Sequence, residues 1–403
     1  MFSTFTRRQL LKTLPAAAAS ASPLLSQGQQ ASNLKANPQD PNLVKHLQIP
    51  KAEKPAKETR AIWIHPETTF AADEKSGRQQ VKETVQRYAR AGFNLILPWT
   101  VSGYLTALDH PGYQKTHPTA AWDSLGLLIE EASREGIDVD MWYSFTDYRQ
   151  VDSPEFDPSV GGNLAWAAKR IEEVVPNAST GKVENPSVDN VCPQYYEARA
   201  WMLQQMESVL QRYPKLHGLH IEEPGYRQRG YCLCDLCQSL FQQMHGRKLT
   251  ENLDSAPAED LRTIGTSAFM AELREGLKKS HPKLILSVNG GPDWRHDRLR
   301  GRDWGRWAQA GWLRYYASQV YVSDTASFRE QFGVTMNDIS RECQVVAGIS
   351  INWSEGKNTL QEVIRQIEAS RELGAAGVAL FHGKAFSDDD LRAIKAGPFQ
   401  RPA

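Results

Sequence analysis

Long apolar runs are missing from this sequence. Outside the first residues none approaches the roughly 20 that a bilayer-spanning helix needs, so the mature chain is expected to carry no membrane span. Excess charge is missing too. Lysine plus arginine and aspartate plus glutamate both number 47. That balance exerts no general pull on nucleic acid or an anionic membrane, and neither is expected as a partner. No G-x-G-x-x-G follows the first predicted strand, which argues against a dinucleotide site, and no organic cofactor is expected. No His-x-His follows that strand and no H-E-x-x-H occurs, which disfavours metal-dependent hydrolysis. The lack of G-x-S-x-G disfavours a serine nucleophile. Repeats of solenoid length are absent. Cysteine is scarce, five in 403 residues, and none follows the early apolar stretch, which disfavours a lipoprotein anchor.

What is present starts with a targeting pattern. Arg7-Arg8 precede Leu10, Leu11 and Lys12, then small residues from Ala16 to Ala21. A basic region, a mild apolar region and small residues in that order suit a cleavable export signal, here over 1–31. The paired arginines resemble the twin-arginine signal, which carries folded proteins across a bacterial membrane toward a periplasmic or extracellular site. Residues 32–58 are rich in Gln, Asn, Pro and Lys without periodicity and read as a disordered linker.

From residue 59 to 397, short apolar strands alternate with helical patterns. The strands are Ala61–His65, Asn94–Trp99, Asp138–Phe145, Gly218–Glu223, Leu284–Asn289, Ser318–Val322, Val345–Asn352 and Gly377–His382. Eight strands with helical crossovers predict an α/β fold, a closed (β/α)8 TIM barrel forming a single catalytic domain, rather than an open doubly wound sheet.

Barrel enzymes place their sites at the carboxyl ends of the strands. Those ends are polar here. The strongest element is His220-Ile221-Glu222-Glu223-Pro224-Gly225-Tyr226. Two adjacent carboxylates suit glycoside cleavage, which needs one acid to protonate the leaving oxygen and a second as nucleophile or base. Like charge nearby raises one of the two pKa values, as an acid requires. The structural alternative is that one Glu pairs with Arg149 or Arg227 and only shapes the loop. Sugar-facing positions read from the other strand ends are His65, Trp99, Trp142, Arg149, Tyr226, Asn289, Trp294, Tyr321, Trp353 and His382. The 11 Trp and 13 Tyr offer flat faces that suit sugar rings, although some must fill the core.

These residues carry a resemblance. Arg60-Ala61-Ile62-Trp63, Ala91-Gly92-Phe93-Asn94-Leu95, Glu135-Gly136-Ile137-Asp138-Val139, Cys192-Pro193 and Gly218-Leu219-His220-Ile221 look like the glycosyl-hydrolase-like family 10 barrels. In that family strand four reads Asp followed by Ile-Arg-Tyr-Pro; here Glu222 takes the Asp position and the Arg-Tyr tail is absent. Glu223-Pro224 also resembles the Asn-Glu-Pro of clan A glycosidases, which implies Glu223 as acid/base. The same resemblance implies a nucleophile after strand seven, where Glu355 is the nearest match. Asp324 and Asp147 are the alternative second carboxylates.

The cysteines are Cys192, Cys232, Cys234, Cys237 and Cys343. Three form C-x-C-x-x-C after strand four, and four thiolates can close a tetrahedral zinc shell. A similar arrangement occurs in some family 42 β-galactosidases with structural zinc. Disulfides are the rival use, and Cys343 is expected in the core. Together these features predict an exported glycoside hydrolase-like protein acting on a polysaccharide or glycan. The alternative is a non-catalytic carbohydrate-binding barrel.

Overall fold

The computed structural model describes residues 57–101, 122–144, 158, 161–185, 190–352 and 358–401. The proposed signal and nearly all of the proposed linker fall outside them. Eight strands run in parallel: β1 Thr59–Ile64, β2 Leu95–Val101, β3 Asp138–Ser144, β4 Gly218–Glu222, β5 Ile285–Gly290, β6 Tyr315–Gln319, β7 Gln344–Ser350 and β8 Gly377–Phe381. Each pairs with its neighbours, and β1 pairs with β8, so the sheet closes into a barrel. Every residue of β7 and β8 is buried, as expected of a parallel sheet covered on both faces. At the seam a Cβ on Gly377 would lie 2.1 Å from the Thr59 carbonyl oxygen, so closure requires a glycine there.

Helices wrap the barrel with local signals that match their ends. Asp73 caps Glu74–Ala91 and Ser387 forms a capping box with Asp390 at Asp388–Ala396. Two helices, Asp235–His245 and Ala256–Ser280, lie between β4 and β5. Arg199, on the helix Tyr196–Arg212, holds Glu272 through two buried bonds of 3.1 and 3.0 Å. Among the described residues no helix is long and apolar enough to cross a membrane.

One strand departs from its sequence reading. β6 starts at Tyr315, three residues before the predicted Ser318, and stops before Val320. Tyr315 points into the barrel, where its hydroxyl donates to Asp140 at 2.9 Å, while Tyr316 points outward and stacks on Trp304. Two adjacent tyrosines on opposite faces hide the apolar alternation that marks a strand.

Candidate active site

The carboxyl ends of β3, β4 and β5 bring a carboxylate and its donors together. Glu222 ends β4, in register with Ser144 of β3 and Asn289 of β5. The Asn289 amide donates to Glu222 Oε2 at 2.6 Å, and the Trp142 indole N–H donates to the same oxygen. Burial, then the negative charge of Glu223, push the Glu222 carboxyl up to about 8, against the pull of these two donors and Arg302.

Glu223 leaves the extended conformation. Its φ is +35°, the one positive φ of a non-glycine residue among the described residues. That turn is held by the Glu223 N–H donating to the Asn289 carbonyl at 3.2 Å. Its carboxylate meets the Arg302 guanidinium at 2.7 Å. Arg302 is buried; it also faces Asp297 at 3.6 Å and donates to the Tyr226 carbonyl at 3.3 Å. Burial, and secondarily Glu223, raise the Asp297 carboxyl above its usual range despite Arg302. The two adjacent glutamates thus occupy different settings: Glu222 is half-buried and held by the neutral donors Asn289 and Trp142, and Glu223 is paired with the buried Arg302.

Aromatic rings crowd the same end of the barrel. Trp99 meets Trp142 edge-on with centroids 4.4 Å apart, and His65 lies 5.3 Å from Trp142. Phe381 stacks on Tyr321 at 5.5 Å, and His65 and His382 lie 5.7 Å apart. His65 Nδ1 is 3.1 Å from Glu67, which supplies a further carboxylate beside the rings. His382 titrates below its usual range because burial, then His65 and Lys384, oppose its charge. His220 sits beneath this layer, bonded to Ser287 at 2.8 Å, and burial pushes its pKa down to about 3, so it stays neutral.

The family model described as glycosyl hydrolase-like 10 matches residues 58–359. The chain belongs to the glycosyl hydrolase-like 10 family. No curated protein has a matching sequence. Among solved structures, this glycosyl hydrolase-like 10 barrel is similar to the glycoside hydrolase domain of PgaB from Bordetella bronchiseptica. The TM-score is 0.57 at 11% identity, over 84% of this chain and 97% of that one. A catalytic mutant of a family 42 β-galactosidase from G. stearothermophilus gives a TM-score of 0.58 at 13% identity, over 84% and 56%. The catalytic domain of a β-amylase from Paenibacillus polymyxa gives 0.51 at 12%, over 82% and 94%. At these identities the likeness is one of fold.

In this family member Glu222, Glu223, Trp142, Asn289, Trp99, His65, Tyr321 and His382 do meet at one end of the barrel. Three other predicted residues do not join them. Tyr226 is fully buried, with its hydroxyl 3.5 Å from the Cys192 sulfur. Trp294 packs against Trp304 and donates to Asp303 at 2.8 Å, so it belongs to the outer core. Asp324 is exposed and caps the helix Thr325–Ile339 by accepting from the Ser327 N–H at 2.8 Å. Asp147, Arg149, Trp353 and Glu355 lie outside the described residues. Sequence reasoning missed Arg302 and Phe381. Phe381 was findable, since alternation along β8 aims it at the same interior as Ala379. Arg302 lies in a connection remote from any strand end and gives no such signal. A cavity of about 660 Å3 opens at the opposite, amino-terminal end of the barrel, lined by strand starts such as Leu95, Asp138 and Ile285. None of the residues gathered around Glu222 lines it.

Proposed function

We propose that this chain is an exported glycoside hydrolase in which Glu222 donates the proton to the leaving oxygen and Glu223 serves as the charged carboxylate. The observation that carries this reading is the divided environment of the pair. A half-buried carboxyl pushed up to about 8 holds its proton at neutral pH, as a general acid must. Beside it, the Glu223 carboxylate is paired at 2.7 Å with the buried Arg302 guanidinium. The clan A resemblance would give the acid role to Glu223; the surroundings favour Glu222 instead. Membership of a glycosyl hydrolase-like family supports a carbohydrate substrate. The half-buried rings of His65, Trp99 and Tyr321, backed by the buried Trp142, offer apolar faces for a sugar.

The test is hydrolysis of a glycan panel by the wild type and by Glu222→Gln and Glu223→Gln. Each substitution should lower kcat by a factor of about 100 or more, the usual worth of a general acid, while the protein still binds the sugar. Sugar-induced change in Trp fluorescence without turnover of any glycan by the wild type would instead identify a carbohydrate-binding barrel. The export part rests on Arg7-Arg8 and the small residues after them. Replacing both arginines by lysine in the full chain should leave the protein in the cytoplasm; unchanged export would refute the twin-arginine route.

A further inference from the structure

The second buried cluster of the molecule lies just beyond the acid pair. Cys192 precedes the helix Tyr196–Arg212, and Cys232, Cys234 and Cys237 follow β4. All four are buried, none is in a disulfide, and their sulfurs lie within 4.8 Å of one another. Cys192 Sγ is 3.5 Å from Cys237 Sγ and 3.7 Å from Cys234 Sγ. A tetrahedral zinc with Zn–S bonds of about 2.3 Å has sulfur–sulfur edges of about 3.8 Å, so the set needs little adjustment to hold the ion.

The surroundings suit a charged centre. The Cys234 N–H donates to Cys232 Sγ at 3.4 Å. Cys234 is the N-cap of Asp235–His245 and Cys237 lies in its first turn, at the positive end of the helix. Arg262 lines the same small cavity as Cys232 and Cys237. This buried guanidinium donates to the carbonyls of Tyr231 and Leu253.

We propose that Cys192, Cys232, Cys234 and Cys237 bind one zinc ion that pins the segment from Glu223 to Cys237 against the barrel. With four sulfur ligands the ion has no open position, so its role is structural. Only Pro224 and Gly225 separate Glu223 from Tyr226, whose hydroxyl touches Cys192. Tyr226 takes both its backbone bonds from the Arg302 region: its N–H donates to the Arg300 carbonyl at 2.7 Å, and its carbonyl accepts from Arg302. A Cβ on Gly225 would lie 2.4 Å from Arg302 Cγ, so this link has no slack. The metal therefore holds, through Tyr226, the arginine that pairs with Glu223.

The experiment uses the full chain and does not depend on turnover. Elemental analysis should find about one zinc per chain, and the four thiols should resist alkylation until a chelator or mercurial removes the metal. Cobalt exchanged into the site should give the spectrum of a tetrahedral thiolate centre. Cys237→Ser should lose the metal, whereas Cys343→Ser should keep it. Hydrogen exchange after metal removal should show lost protection at the Tyr226, Leu233 and Cys234 amides while the β-strands stay protected. Zinc-free protein with disulfide-linked peptides, or with four freely alkylated thiols, would overturn the site. Unchanged protection of those amides, or unfolding of the whole barrel, would overturn the local pin. A glycan panel without turnover bears on the hydrolase reading and leaves these measurements intact.

Discussion

Burial and the charge of Glu223 both hold the proton on Glu222, so two pH dependences follow from one side chain. In the acid role proposed above, Glu222 must be protonated, so turnover should persist up to about pH 8 and fall above it. Trp142→Phe removes a donor that favours the charged form, so the alkaline limb should move to higher pH; a limb that stays in place would separate that limb from Glu222. Stability carries the same information with its own sign. Unfolded, the group titrates near 4.5, and folded near 8. Between those values the folded chain keeps a proton that the unfolded chain has released, so stability falls as pH rises through that window and levels off above it. Glu222→Gln abolishes this loss. Its melting temperature should rise relative to wild type between about pH 5 and about pH 8.5, as measured by thermal denaturation across that range. The sequence resemblance implies Glu223 as acid/base, but its φ of +35° and its pairing with Arg302 carry no sequence signal, because both arise from contacts with β5 and with a distant connection.

At the scale of the element, the carboxylate of Asp324 after β6 serves as the N-cap of the helix Thr325–Ile339. Asp324→Ala removes the helix cap and should lower the midpoint of denaturant unfolding. Asp324→Asn keeps the cap and should keep turnover; loss of turnover in that variant would return Asp324 to the list of reacting carboxylates. The strands were legible wherever apolar residues alternated with nothing that competes, as in Ala61-Ile62-Trp63-Ile64 and Gly377-Val378-Ala379-Leu380. They were misjudged at Tyr315-Tyr316, where one ring serves the barrel interior and the next the helical layer. Tyr226 and Trp294 were misread for a related reason. Both follow strand ends closely, yet the chain turns away from the mouth there and spends them on outer packing.

For the whole molecule, eight alternating units were enough to foresee closure, because the count and the crossover helices leave few other ways to cover both faces of a parallel sheet. Which side chains converge was only partly foreseeable, since convergence depends on the register between strands far apart in the chain, such as Glu222 opposite Asn289. The seam has a practical consequence. Arg60, at the start of β1, donates to the carbonyls of Phe399 and Arg401 and lies over the Phe399 ring. Both ends of the described fold therefore emerge side by side from the floor of the barrel, on the side away from Glu222. A surface, dye or fusion partner joined at either end would hang below the molecule and leave access to the glutamates clear. A short bridge between the two ends, with new termini opened in a peripheral connection, would preserve the barrel.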